Sequence, residues 1–266
     1  MPNLLKMQKS TFLNLMCRIY SMIIGRCFLI LQKLFAMVQF LKKYKLFIIV
    51  LFALSAVILF LFNTALTPKK YLQVYTPADV NPELVDSTVQ YVAKNHKIAD
   101  FSFTNQNGKT ITQEDYKGKI YVADFFFTTC PTICPIMTTN MAWLQEQIKN
   151  DPKVMLLSHS VTPDIDSVPV LKEYALKKGV MDSKWNLVTG KKEDIYYIAR
   201  KSYLAVKTTN SSELYDMVHT ENFILVDSQG RIRGFYNGTN LDKEVEGEKN
   251  MKQLLEDIKW LSANEK

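Results

Sequence analysis

The segment TTCPTICPIMTT, residues 128–139, carries Cys130 and Cys134, four positions apart and each followed by proline. No other cysteine occurs after Cys27. Two thiols at this spacing offer three chemistries. A disulfide staple closes so short a loop that it restricts the unfolded chain very little. A catalytic dithiol couple of Cys130 and Cys134 is allowed if a turn brings their Cα atoms within about 4.4–6.8 Å, although the common redox spacing has one residue fewer. Two thiolates also suit a soft ion such as Cu(I), or zinc if two further ligands are present.

A metal site needs a third donor, and the chain has 3 histidines. His96 lies in a polar stretch and reads as a solvated surface residue. His159 falls within the apolar run VMLLSHSV and reads as a half-buried, satisfied strand residue. His219, in DMVHTENFILVD, directly precedes a strand-like run and reads either as a turn residue or as a ligand brought to the cysteines. Cysteines and histidines are too few for a four-ligand zinc site without a carboxylate.

Proline disfavours the α conformation in the residue before it, so neither cysteine is expected inside a regular helix. Pro135 suits the first turn of a following helix, where its missing N–H costs nothing. Residues 130–134 are therefore expected to form a tight loop between the end of a buried strand and a helix N-terminus. The helix end favours anions, so at least one thiol should ionise more readily than free cysteine.

The elements around this loop follow from periodicity. KIYVADFFF (119–127) is a continuous apolar run suited to a strand buried on both faces, with Phe125–Phe127 as packing residues. Beyond the cysteines, Met137, Met141, Leu144 and Ile148 recur at helical spacing. VMLLSHSV (154–161) reads as a second buried strand, and VPVLKEYALKKG (168–179) as a helix ending on glycine. WNLV (185–188) is a short strand and KEDIYYIARKSY (192–203) a helix. FILVD and RIRGFY form a hairpin around Ser228-Gln229-Gly230, and Met251, Leu254, Leu255, Ile258 and Leu261 mark a closing helix. Upstream, FSFTNQNGKTIT holds a turn signal between two short strands. Alternating strands and helices ending in a hairpin and a helix give an α/β fold with a mixed central sheet, in the order of a thioredoxin fold.

The formal net charge is +7. Eight of the 33 basic residues, and none of the 26 acidic ones, lie in residues 1–66, which leaves 25 against 26 in the remainder. That near-neutral remainder lacks the basic footprint of a nucleic-acid binder, so no nucleic-acid partner is expected. Within the basic segment, LFIIVLFALSAVILFLF (46–62) opens an uncharged run that extends to Pro68 and is long enough to span a bilayer. Lys42, Lys43 and Lys45 before it place the N-terminus in the cytoplasm by the positive-inside tendency. The domain assignment is a basic N-terminal segment (1–45), a transmembrane anchor (46–66), a linker (67–95) and an α/β domain (96–266). Residues 1–40 read as an interfacial basic helix, as a transit sequence, or as lying ahead of a true start at Met37. Cys17 and Cys27 fall in that stretch and carry no weight.

Taken together, DFFFTTCPTICP before a helix, SVTPDIDSVPVLKEYA, and VHTENFILVDSQGRIRGFY resemble the Sco/SenC family of membrane-anchored copper proteins over about residues 96–262. The resemblance implies a thioredoxin-like fold, preceded by one N-terminal transmembrane helix. It also implies one copper ion, Cu(I) with Cu(II) left open, held by Cys130, Cys134 and His219. Family members assist assembly of the binuclear copper site of cytochrome c oxidase by delivering copper, by reducing that site's cysteines, or both. The implied partner is then the copper-site subunit of that oxidase, or another copper or thiol protein. The implied location is the inner membrane, single-pass, with the C-terminal domain in the periplasm. A thiol–disulfide oxidoreductase using Cys130 and Cys134, and a membrane-tethered copper or redox sensor, are the alternatives. One departure stands out: the family commonly has D-P-x-x-D where this chain has Thr162-Pro163-Asp164-Ile165-Asp166. Asp166 fits the second acidic position, with a helix N-cap as its competing role.

Overall fold

Residues 33–35, 37–66, 71–80, 85, 87–205 and 221–265 are described by the computed structural model. The chain divides into two units, one ending at Lys70 and one beginning at Tyr71. In the first, helix α1 covers Lys45–Leu66. Its 22 residues carry no charge after Lys45 and are long and apolar enough to cross a membrane, since they rise about 33 Å against a hydrocarbon core of about 30 Å.

The second unit is built on one seven-stranded sheet. Its elements are β1 (Ser102–Asn105), β2 (Thr110–Thr112), the single-turn α2 (Gln113–Tyr116), β3 (Ile120–Phe126), α3 (Ile133–Ile148) and β4 (Val154–Ser160). There follow α4 (Val168–Lys178), β5 (Trp185–Thr189), α5 (Lys192–Tyr197), β6 (Asn222–Val226), β7 (Ile232–Asn237) and α6 (Met251–Asn264). The strand order is β2-β1-β5-β4-β3-β6-β7, with β3, β4 and β5 parallel and the other pairings antiparallel. This is the mixed thioredoxin-like sheet that the sequence pattern implies.

Local chemistry accounts for the boundaries. All seven residues of β3 are buried, as a continuous apolar run requires of a central strand. The four apolar positions of α3 predicted from periodicity are all buried. Gly179 ends α4 with φ +70°, a left-handed conformation that glycine adopts without penalty. Asn250 caps α6 by accepting from the Gln253 N–H, while the Gln253 side chain accepts from the Asn250 N–H. Helix α5 is shorter than expected: after Tyr197 the chain widens into a π turn over Ile198–Ser202. On β3, Phe126 packs on Tyr174 of α4, while Phe125 faces the opposite layer and packs on Tyr203.

The unit begins earlier than position 96. Part of the segment read as a linker is folded against the domain: Leu72 and Val85 are buried, and Tyr75 bridges to Ile232 of β7. The cause is Arg233, whose guanidinium donates to the carbonyls of Leu72 and Gln73 while pairing with Asp227 at 3.0 Å and Glu265 at 3.1 Å. His96 is likewise no free surface residue, since its Nε2 lies 2.7 Å from the Ser202 carbonyl. Arg233→Ala is expected to cost about 3 kcal/mol, because the buried Asp227 keeps only Arg231 as a cationic partner. Urea denaturation checks the cost, and faster amide exchange at residues 72–75 checks its location.

Candidate metal centre

The two cysteines stand where β3 gives way to α3. The Cys130 N–H donates to the Phe127 carbonyl at 3.3 Å, which closes a turn directly after the strand. The backbone N–H of Cys134 then donates to the Cys130 sulfur at 3.4 Å. Both cysteines are free thiols and both are buried, although Pro131, Thr132, Pro135 and Ile136 around them are exposed.

One expectation is corrected here. Cys134 lies inside the helix, in its first turn, because α3 starts at Ile133. The prolyl ring of Pro135 would clash with the carbonyl four residues back, but that residue is Pro131, outside the helix. The N–H that proline lacks is one that a first turn leaves without a helical acceptor. The restriction on the residue before proline is thus overridden where the cost is lowest. The Cys134 carbonyl is held in turn by the Thr138 hydroxyl at 2.7 Å.

The thiols are unequal. Burial raises the Cys130 pKa, but hydrogen bonds from the Cys134 thiol, the Cys134 N–H and Thr132 outweigh it and leave Cys130 below the ordinary thiol value. Burial drives Cys134 the other way, up to about 12, with the adjacent Cys130 sulfur adding to the rise. The pair therefore holds one sulfur ready to ionise beside one that keeps its proton, an arrangement suited to nucleophilic attack or to stepwise binding of a soft ion.

His219 lies outside the described residues. Among the described residues, no three His, Cys, Asp or Glu side chains come together as a metal cluster. His159 is brought elsewhere. It is wholly rather than half buried, stacks on Phe125 with centroids 5.0 Å apart, and leaves Nε2 without a hydrogen-bond partner. Burial lowers its pKa to about 3, which keeps the ring neutral. It faces the layer of Tyr203, a packing role.

Two carboxylates near the loop stand out. Asp124, the one charged residue of strand β3, is buried, accepts from the Ser158 hydroxyl, and is raised by burial to about 7. A lone acid inside an otherwise apolar strand is the sequence signal for it. Asp166 is not the cap of α4. Ser167 occupies that position, while the Asp166 carboxylate is fully buried and accepts from Thr128, Ser160 and Thr162.

A family model described as SCO1/SenC matches residues 89–256. The SCO1 protein homolog of Bacillus subtilis is 36% identical over 146 residues, covering 54% of this chain and 75% of that protein. The crystal structure of a SCO1/SenC family lipoprotein from Bacillus anthracis shares 35% identity at a TM-score of 0.54, covering 63% of this chain and 96% of the other. BsSco, described as a member of the Sco family of cytochrome c oxidase assembly proteins with a disulfide switch, shares 32% identity at a TM-score of 0.53, covering 64% and 96%. The ScoI protein of Bradyrhizobium japonicum, solved with copper bound, shares 26% identity at a TM-score of 0.48, covering 63% and 99%.

Proposed function

Because this chain belongs to the SCO1/SenC family, we propose that it carries one copper ion as cargo on Cys130, Cys134 and His219 and passes it to a partner during cytochrome c oxidase assembly. The observation that carries the reading is the pairing of two free, adjacent thiols of unequal proton affinity at the strand-to-helix junction. Two sulfur donors fit Cu(I), a soft ion content with few ligands. The third donor is consistent with the topology. β6 runs antiparallel to β3, so its first residue, Asn222, lies at the sheet end where β3 delivers the cysteines. His219 precedes Asn222 by only three residues.

The recipient is the copper-site subunit of the oxidase or another copper or thiol protein. Transfer proceeds by ligand exchange: an incoming thiolate displaces one protein ligand at a time. Since both cysteines are buried, the exposed residues 131 and 132 have to move aside for the exchange. Helix α1 serves as a single-pass anchor in the inner membrane, with the lysines at 42, 43 and 45 cytoplasmic and the α/β unit periplasmic.

A second reading, thiol–disulfide oxidoreductase, is favoured by the same asymmetry, with Cys130 as the attacking thiol and Cys134 as the resolving one. His219 separates the two. In anaerobic Cu(I) competition titrations of the full-length chain in detergent, the parent is expected to bind one Cu(I). His219→Ala should weaken that binding about 100-fold, since the binding free energy is shared among few ligands. A parent that exchanges disulfides efficiently but holds no Cu(I) against the chelator would overturn the copper reading in favour of the oxidoreductase.

A further inference from the structure

The turn after β4 is tied to the cysteine loop through one buried carboxylate. Asp166 is 0% exposed, and its Oδ1 accepts from the Thr128 hydroxyl at 2.5 Å. Its Oδ2 accepts from the Ser160 hydroxyl at 2.6 Å, the Thr162 hydroxyl at 3.0 Å and the Thr128 N–H at 3.3 Å. None of these donors carries a charge. A buried carboxylate held only by neutral donors has a large desolvation cost to offset, so each bond matters.

The donors come from two places. Ser160 and Thr162 belong to the end of β4 and its turn, so their bonds close that turn on itself. Thr128 belongs to the turn that presents Cys130, two residues ahead of it, and is gripped through both backbone and side chain. Two bonds to one residue fix its position and its rotation together. The Thr162 hydroxyl thus supplies a donor to Asp166 at the position where the family pattern commonly has aspartate.

We propose that Asp166 is a positioning residue for Cys130, holding the 127–130 turn so that the two sulfurs stay at chelating and disulfide-forming distance, with Thr162 completing the grip. The proposal rests on the copper reading for its biological purpose, but its physical content is the geometry of the dithiol, which is measurable without metal.

The test is the equilibrium of the full-length chain with glutathione in detergent, metal-free. In that exchange the Cys130 and Cys134 thiols give up two electrons and two protons as their S–S bond forms. One glutathione disulfide takes them up to become two glutathione thiols. Asp166→Ala is expected to lower the equilibrium constant for disulfide formation about tenfold, a rise of about 30 mV in potential. Thr162→Val should lower it about threefold, and Thr162→Ser, which restores the hydroxyl, should match the parent. A folded Asp166→Ala chain with the parent's constant overturns the proposal. Should Asp166→Ala fail to fold, Thr162→Val decides: a parent-like constant overturns the proposal, and a threefold fall supports it. A parent that binds no Cu(I) while Asp166→Ala still shifts the constant removes the copper reading and leaves the positioning role standing.

Discussion

Asp124→Asn is expected to make the folded chain more stable than the parent by about 4 kcal/mol at pH 8, with the gain fading towards zero near pH 4. Burial raises the Asp124 carboxyl from its ordinary 3.8 to about 7 in the folded state. Below pH 3.8 both folded and unfolded chains hold the proton, and the buried acid imposes no electrostatic cost. Between pH 3.8 and about 7 the unfolded chain ionises while the folded chain stays neutral, so stability falls as pH rises, by about 1.4 kcal/mol per unit. Above pH 7 the full cost is present. Asparagine never ionises, and its amide oxygen can still accept from the Ser158 hydroxyl. That hydroxyl is itself held by the Trp185 indole N–H at 2.8 Å, which directs its proton towards position 124. Urea denaturation of both proteins across pH 4.5–8 reads the difference, and a gap that does not widen with pH would sink the argument.

The second large effect concerns the ligands. Cys130→Ser and Cys134→Ser should each weaken Cu(I) binding about 1,000-fold, since a bound metal distributes roughly 10–16 kcal/mol over a handful of ligands. Serine keeps the size of the side chain but offers a hard oxygen that stays protonated at neutral pH, a poor partner for a soft ion. The two variants should differ in thermal stability. Cys134 is packed in the first turn of α3, where its carbonyl is held by Thr138, whereas Cys130 rides on the preceding turn. Cys134→Ser places a hydroxyl in that packed site and should therefore melt lower than Cys130→Ser. Competition titration checks the first expectation and a melting curve the second. A serine variant that retains parent affinity would remove its residue from the ligand set.

Much of this architecture was legible because it rests on local pattern. The β3 run, the i, i+4, i+7, i+11 series of α3 and the glycine that ends α4 each specify an element within a dozen residues, and each element appears where the pattern placed it. The pairing of Cys130 with Cys134 was legible for the same reason. What escaped was non-local. Asp166 left a cap and a functional acid both open because its neighbours in sequence begin a helix, while one of its partners, Thr128, lies 38 positions away. Leu72 and Gln73 looked like linker because their segment carries three prolines and little periodicity, and what fastens them is an arginine some 160 residues downstream. The preference of a residue before proline for extended backbone points Cys134 outside the helix, and its place in the first turn, where that preference costs least, overrides it. His219, which the family resemblance implies as the third ligand, lies outside the described residues, so its role rests on the proposed experiment.

The bridge between Tyr75 and Ile232 has a consequence for how this protein behaves at high local concentration. β7 is the last strand of the sheet, and an uncovered last strand offers a row of free N–H and C=O groups to any passing extended chain. Here Tyr75 occupies one end of that row, and the Lys249 carbonyl takes the Asn237 N–H at the other. Each end of the strand is thus blocked by a segment of the same polypeptide. Intermolecular strand addition, the first step of β-type aggregation, is thereby hindered at both ends of β7.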